Sequence, residues 1–122
     1  MDWKDYYPLF KPDEFVCKCG CGKQDMQKEH MDKLFRARIN AGIPFIITSG
    51  SRCLEHNNFV GGSATSDHLK GYGSDIRANS GRAKWLILTA LINAGFNRIG
   101  IGKNFIHAGN DPQNSEMVVW TY

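Results

Sequence analysis

No stretch of this chain is apolar for long enough to cross a bilayer, so a membrane-spanning helix is not expected. Its lysines and arginines are scattered, and the absence of a basic run argues against a nucleic-acid footprint. The opening residues, MDWKDYYPLFKPDEF, lack a basic region followed by an apolar core, so no secretory leader is expected. Internal repeats, low-complexity tracts and linkers are also missing. What remains is 122 residues, 42% hydrophobic and 22% charged, enough for one compact domain with its own core. The net charge of +3 suits attraction to an anionic polymer such as a cell wall without selecting one.

Cysteines are few but clustered. Cys17, Cys19 and Cys21 form C-x-C-x-C, and Cys53 stands apart. The spacing differs from the C-x2-C knuckle of common zinc sites, and weakly paired or free thiols are favoured over a structural metal.

Along the chain, residues 1–14 read as an irregular N-terminal arm whose Trp3, Tyr6, Tyr7 and Phe10 fold back onto a domain spanning 15–122. Residues 15–24 are rich in Gly and Cys and read as a loop. Helical spacing of Met31, Leu34, Phe35 and Ile39 predicts a helix capped by Asp25 and ended by Gly42 and Pro44. Pro44 to Thr48 reads as a short buried strand, 49–67 as a long loop, and Tyr72 to Ala78 as a strand with Gly73, Asp75 and Arg77 on one face. Ser80 caps a second helix whose stripe Ala83, Leu86/Ile87, Ala90/Leu91 and Ala94 stops at Gly95. NRIGIGK and NFIHAG make a hairpin around Lys103-Asn104, and Met117 to Tyr122 a closing strand.

The chemistry concentrates between Thr48 and Asp75, and at His107. A catalytic zinc usually takes three protein ligands from His, Asp and Glu and keeps one position for water. His68 and Asp75, joined by a segment with two glycines, could supply a local pair, and His107 a distant third. Taken alone, H-x6-D is unspecific. The competing reading is a surface His68, an Asp75 that caps a turn and a hydrogen-bonded His107.

Several blocks together resemble a known family. Ser66-Asp67-His68-Leu69-Lys70-Gly71-Tyr72-Gly73-Ser74-Asp75 is similar to the S-x-H-x-x-G-x-A-x-D signature of the zinc D-alanyl-D-alanine carboxypeptidases. That family includes the D,D-dipeptidases of vancomycin resistance and phage endolysins that cut L-alanyl-D-glutamate bonds. Thr48-Ser49-Gly50-Ser51-Arg52 looks like its T-S-G-[YF]-R segment, and Phe105-Ile106-His107 like the strand that brings the last ligand. The early Cys run and the closing Trp120-x-Tyr122 resemble its small single-domain branch, so the likeness covers 15–122.

The resemblance implies an α+β fold, with helices packed on a small antiparallel sheet that carries zinc. It implies His68, Asp75 and His107 as zinc ligands, Arg52 as the oxyanion-stabilising group and Ser66 as a substrate-side polar group. The activity implied is zinc-dependent hydrolysis of peptide bonds beside D-amino acids in peptidoglycan stem peptides. A monomer without a nucleic-acid partner or membrane insertion is expected. Made in the cytoplasm, such a protein would reach the wall by lysis-type release, as phage lysins do, or as a virion component.

Two departures stand out. Many members carry Glu or Asp three residues before the last histidine, as general base; here it is Asn104. Members often carry Asp two residues after it; here it is Gly109. Asp111, nearest to the ligand strand, is the first candidate for the missing base, with Glu116, His56 and Asp67 as others. The alternative is a non-catalytic zinc-containing binding module of the same fold, as in the signalling domain of hedgehog proteins.

Overall fold

The computed structural model describes residues 1–122. Helices α1 (Lys28–Ala41) and α3 (Gly81–Asn93) pack against one another, and a short helix α2 (Leu54–Phe59) lies between them in sequence. Five strands, β1 (Ile47–Ser49), β2 (Gly73–Arg77), β3 (Arg98–Ile101), β4 (Phe105–Gly109) and β5 (Val118–Thr121), form one sheet in the order β1-β2-β4-β3-β5. The architecture is α+β.

The sheet is mixed rather than wholly antiparallel. Strands β1, β2, β4 and β3 pair antiparallel, but β5 runs parallel to β3. The register shows why. Gly109 at the end of β4 and Val118 at the start of β5 both pair with Arg98. The connection therefore crosses only the beginning of β3, two strand spacings or about 10 Å, and need not travel the length of the sheet.

Alternation along β2 and β4 separates core from site. Ile76, Ile106 and Ala108 point to the helices and are fully buried with Ile87, Leu91, Met31 and Leu34. Asp75 and His107 occupy the opposite face and pair directly across the strands. Burying each large aliphatic side chain contributes about 1.5–3 kcal/mol, so the helix side stabilises the sheet and leaves its other face for chemistry.

Local signals explain most element ends. Ser80 Oγ accepts from Ala83 N–H at 3.1 Å and starts α3, and Gly42, at φ 72°, ends α1. The start of α1 differs from expectation. Gln27 is its N-cap, because Asp25 is held elsewhere: its N–H donates to Ser51 Oγ at 3.0 Å and its carboxylate accepts from that hydroxyl at 2.9 Å. The 49–67 segment is likewise not a plain loop. It holds α2, whose 6 residues are too few for a helical period to show in sequence.

At the N-terminus, Tyr6 and Phe10 join the core against Phe15 and Phe35, and Tyr6 Oη donates to Asp32 Oδ1 at 2.6 Å. Trp3 packs on Phe15, but Tyr7 does not fold back and is 64% exposed. Behind the site, fully buried His30 is held on both nitrogens, at 2.7 Å from Asn110 Oδ1 and 2.7 Å from Ser74 Oγ.

Candidate metal centre

Ser66 begins a 3-10 turn over Asp67–Lys70, its Oγ accepting from His68 N–H at 3.3 Å. Gly71, at φ 80°, reverses the chain after that turn. A Cβ there would also lie 2.1 Å from the Asp25 carbonyl oxygen, so only glycine fits. The chain then enters β2, which brings Asp75 back beside His68. Strand β4 places His107 opposite Asp75.

The three side chains meet at one point. His68 Nε2 is 3.1 Å from Asp75 Oδ1, His107 Nδ1 is 2.9 Å from the same oxygen, and the two ring nitrogens are 3.2 Å apart. Donors arranged tetrahedrally about zinc at 2.0–2.1 Å stand about 3.3 Å from one another, so the spacing suits that ion.

Hydrogen bonds on the far side of each ring fix the donor set. His68 Nδ1 lies 2.7 Å from the Gly50 carbonyl, which can only accept, so Nδ1 carries the proton and Nε2 presents a lone pair. His107 Nε2 lies 2.9 Å from Asp67 Oδ2, so its proton is on Nε2 and its lone pair on Nδ1. Two lone pairs and a carboxylate oxygen thus face each other, an arrangement that calls for a cation. Burial alone would lower the His107 pKa, but Asp67 and Asp75 hold it above its ordinary value. Burial keeps His68 below its ordinary value despite Asp75. Asp75 is buried too, yet the charge of His68 and the hydrogen bonds of both histidines hold it far below the usual carboxylate range. The residues fit a divalent metal.

Asp67 is the functional residue that sequence reasoning misplaced, offering it only as a substitute base. Its carboxylate accepts from His107, from Arg98 Nε at 3.0 Å, from the Asp111 N–H at 3.2 Å and from Asn114 Nδ2 at 3.3 Å. Every lone pair is engaged, so it orients His107 and is not free to take a proton. The departure at Gly109 was the usable signal. A Cβ at 109 would lie 2.3 Å from Asp67 Oδ2 and 2.8 Å from His107 Nε2. Asp67 occupies the space beside His107 that a side chain at 109 would claim.

Arg52 reaches the same centre. Its Nη1 donates to Asn57 Oδ1 at 3.0 Å, its Nη2 donates to Ser49 Oγ at 3.2 Å, and Nη2 lies 3.8 Å from Asp75 Oδ2. Its Nε is the only buried side-chain nitrogen or oxygen without a hydrogen-bond partner. Arg52, His68, Asp75 and His107 line a cleft of about 440 Å³, together with Ser66, Arg98, Phe105, Trp120 and Tyr122. Trp120 packs on His107 with ring centroids 5.5 Å apart, and the Arg98 guanidinium lies over the Trp120 ring at 5.3 Å. Gly100 makes room for this wall, since a Cβ there would be 2.7 Å from Trp120 Nε1 and from Tyr122 Oη.

Asp111, the first candidate for the general base, does not line the cleft. It is buried in the turn after β4, where Oδ1 accepts from Gln113 N–H at 3.0 Å, and it lines a separate smaller groove. Asn104 is exposed in the β3–β4 turn and does not line the cleft either.

Residues 8–109 match the family model Peptidase M15. The chain belongs to the Peptidase M15 family. M15 peptidases are zinc-dependent in general, and His68, Asp75 and His107 are the group that could hold the ion here. The matched region contains these three residues and Arg52, while β5, which carries Trp120, lies beyond it. No curated protein matches the chain.

Proposed function

We propose that this M15 protein is a zinc peptidase that hydrolyses bonds next to D-amino acids in peptidoglycan stem peptides. The observation that carries the reading is the convergence of His68, Asp75 and His107 without a fourth protein donor. A structural zinc is normally enclosed by four, whereas three leave one position for water or substrate.

When bound, zinc would supply Lewis-acid polarisation and acidify water. The chain's own residues do the rest. Gly50 O and Asp67 aim the two imidazole lone pairs. Asn57 and Ser49 hold the Arg52 guanidinium at the cleft wall, where a fixed cation stabilises charge developing on a carbonyl oxygen. Arg98, paired to Asp67, adds positive charge on the cleft wall. With Arg52 it suits a substrate bearing carboxylates, as stem peptides do. Trp120, Phe105 and Tyr122 give the apolar side against which a short peptide can lie. The place of action is then the cell wall, reached after release from the producing cell or as part of a virion, by a protein acting as a monomer.

A second reading, a zinc-containing binding module without catalysis, is favoured by one observation. No carboxylate on the cleft wall is free: Asp67 is fully hydrogen-bonded and Asp75 faces the metal position. Incubating zinc-loaded protein with purified peptidoglycan and identifying the fragments by mass spectrometry separates the two. The peptidase reading expects new peptide ends beside a D-residue. Intact stem peptides after exposure to fully loaded protein would establish the binding module instead.

A further inference from the structure

The four cysteines lie outside the cleft, and the proposed hydrolysis uses none of them. They are nevertheless gathered. Cys17 Sγ is 3.5 Å from Cys19 Sγ, Cys19 Sγ is 3.6 Å from Cys53 Sγ, and all four sulfurs, Cys21 included, fall within 4.8 Å of one another. None is in a disulfide, in which sulfurs bond at about 2.05 Å. Four thiolates on a tetrahedron about 2.3 Å from a zinc ion stand about 3.8 Å apart. The cluster has the dimensions of a tetrathiolate cage.

We propose that Cys17, Cys19, Cys21 and Cys53 bind one structural zinc ion, distinct from the His68–Asp75–His107 centre.

The backbone explains how C-x-C-x-C can do this. In extended chain, alternate residues share a side but stand about 6.6 Å apart, too far for a common metal. Here Gly20 and Gly22 adopt φ of 88° and 86°, and the loop is closed by Cys17 N–H donating to the Lys23 carbonyl at 2.8 Å. The curl draws three sulfurs together, and Cys53, the N-cap of α2, supplies the fourth. Two backbone N–H groups already point at sulfur: Cys53 N–H at Cys17 Sγ and His56 N–H at Cys53 Sγ, each at 3.4 Å. Such donors favour the ionised form of the acceptor. Cys17 is buried while Cys19 and Cys21 are exposed, so the ion has a path in from solvent.

Loading one divalent cation onto four thiols releases four protons and leaves a unit of net charge −2. Lys18, within the cysteine run, and Lys23, just after it, offset part of that charge. Soft thiolates in a tetrahedral set select zinc over harder divalent ions. The ion would act at a distance from the chemistry. It would staple the 16–23 loop to the residue after Arg52, where Lys23 Nζ already donates to the carbonyls of Arg52 at 3.2 Å and Leu69 at 2.6 Å. The cleft wall carrying Arg52 and His68 is thereby held from behind.

The test is metal content of the full chain purified under reducing conditions with zinc present. The wild type is expected to carry about two zinc ions and Asp75→Ala about one. Cobalt replacing that remaining ion in Asp75→Ala should give an intense thiolate-to-cobalt charge-transfer band in the near ultraviolet. Cys21→Ser should lose the band. If that variant does not fold, blocking of the wild-type thiols against a thiol reagent until a chelator is added serves in its place. An Asp75→Ala protein with no zinc and four freely reactive thiols would overturn the proposal. So would two disulfides found by mass, or iron in place of zinc. None of these outcomes depends on whether peptidoglycan is cut.

Discussion

The carboxylate of Asp67 stands where a side chain at Gly109 would have to go, 2.3 Å from the position of its Cβ, and accepts the Nε2 proton of His107 at 2.9 Å. A partner that orients a ligating histidine typically contributes 10–100-fold to metal affinity. Asp67→Ala should weaken zinc binding at the His68–Asp75–His107 centre by about that factor. Gly109→Asp alone should weaken it through the clash with Asp67. Competition titration with a zinc chelator measures both. Equal affinity in Asp67→Ala and wild type would remove Asp67 from the metal site.

Arg52 is held by two neutral partners and lies 3.8 Å from Asp75, so removing it leaves the metal donors in place. Arg52→Ala is expected to lower kcat by about 10²–10³, the range seen when a fixed oxyanion donor is removed. Zinc content should not change. Parallel measurement of turnover and bound zinc checks this. An unchanged kcat would show that the guanidinium only supports the loop.

His30 provides a pH-dependent stability term. Burial is the main cause that pushes its pKa down to about 4 from 6.5, against the opposing hydrogen bond of Asn110. A depressed folded pKa means that the unfolded chain binds the proton first. The stability of the neutral ring is therefore complete above pH 6.5 and is lost as pH falls toward 4, by roughly 3 kcal/mol. Denaturant unfolding in the presence of chelator, at pH 7 and pH 4.5, should show this loss in the wild type and a smaller one in His30→Gln. Identical losses would assign the effect to other groups.

How much was legible in the sequence depended on whether the determinant was local. The period-2 pattern of Tyr72 to Ala78 put Asp75 on one face, and the structure has it there, opposite His107. Ser80 and Gly95 bounded α3 because capping is decided within a few residues. Long-range choices stayed hidden. Asp25 looked like a cap until Ser51, distant in sequence, claimed its carboxylate. The parallel direction of β5 follows from where the sheet leaves an edge beside Arg98, which no local pattern encodes. Asp111 seemed the nearest acid to His107, but a turn sends it out of the cleft, while Asp67 arrives from forty residues earlier. The C-x-C-x-C run gave no local sign that two left-handed glycines curl it and gather its sulfurs.

The most direct test of the central claim is a crystal of the zinc-loaded protein with anomalous scattering collected at the zinc edge. A peak within bonding distance of His68 Nε2, Asp75 Oδ1 and His107 Nδ1, with no fourth protein atom bound, is the expected result. Well-ordered side chains at saturating zinc, with no anomalous density among those three atoms, would contradict it.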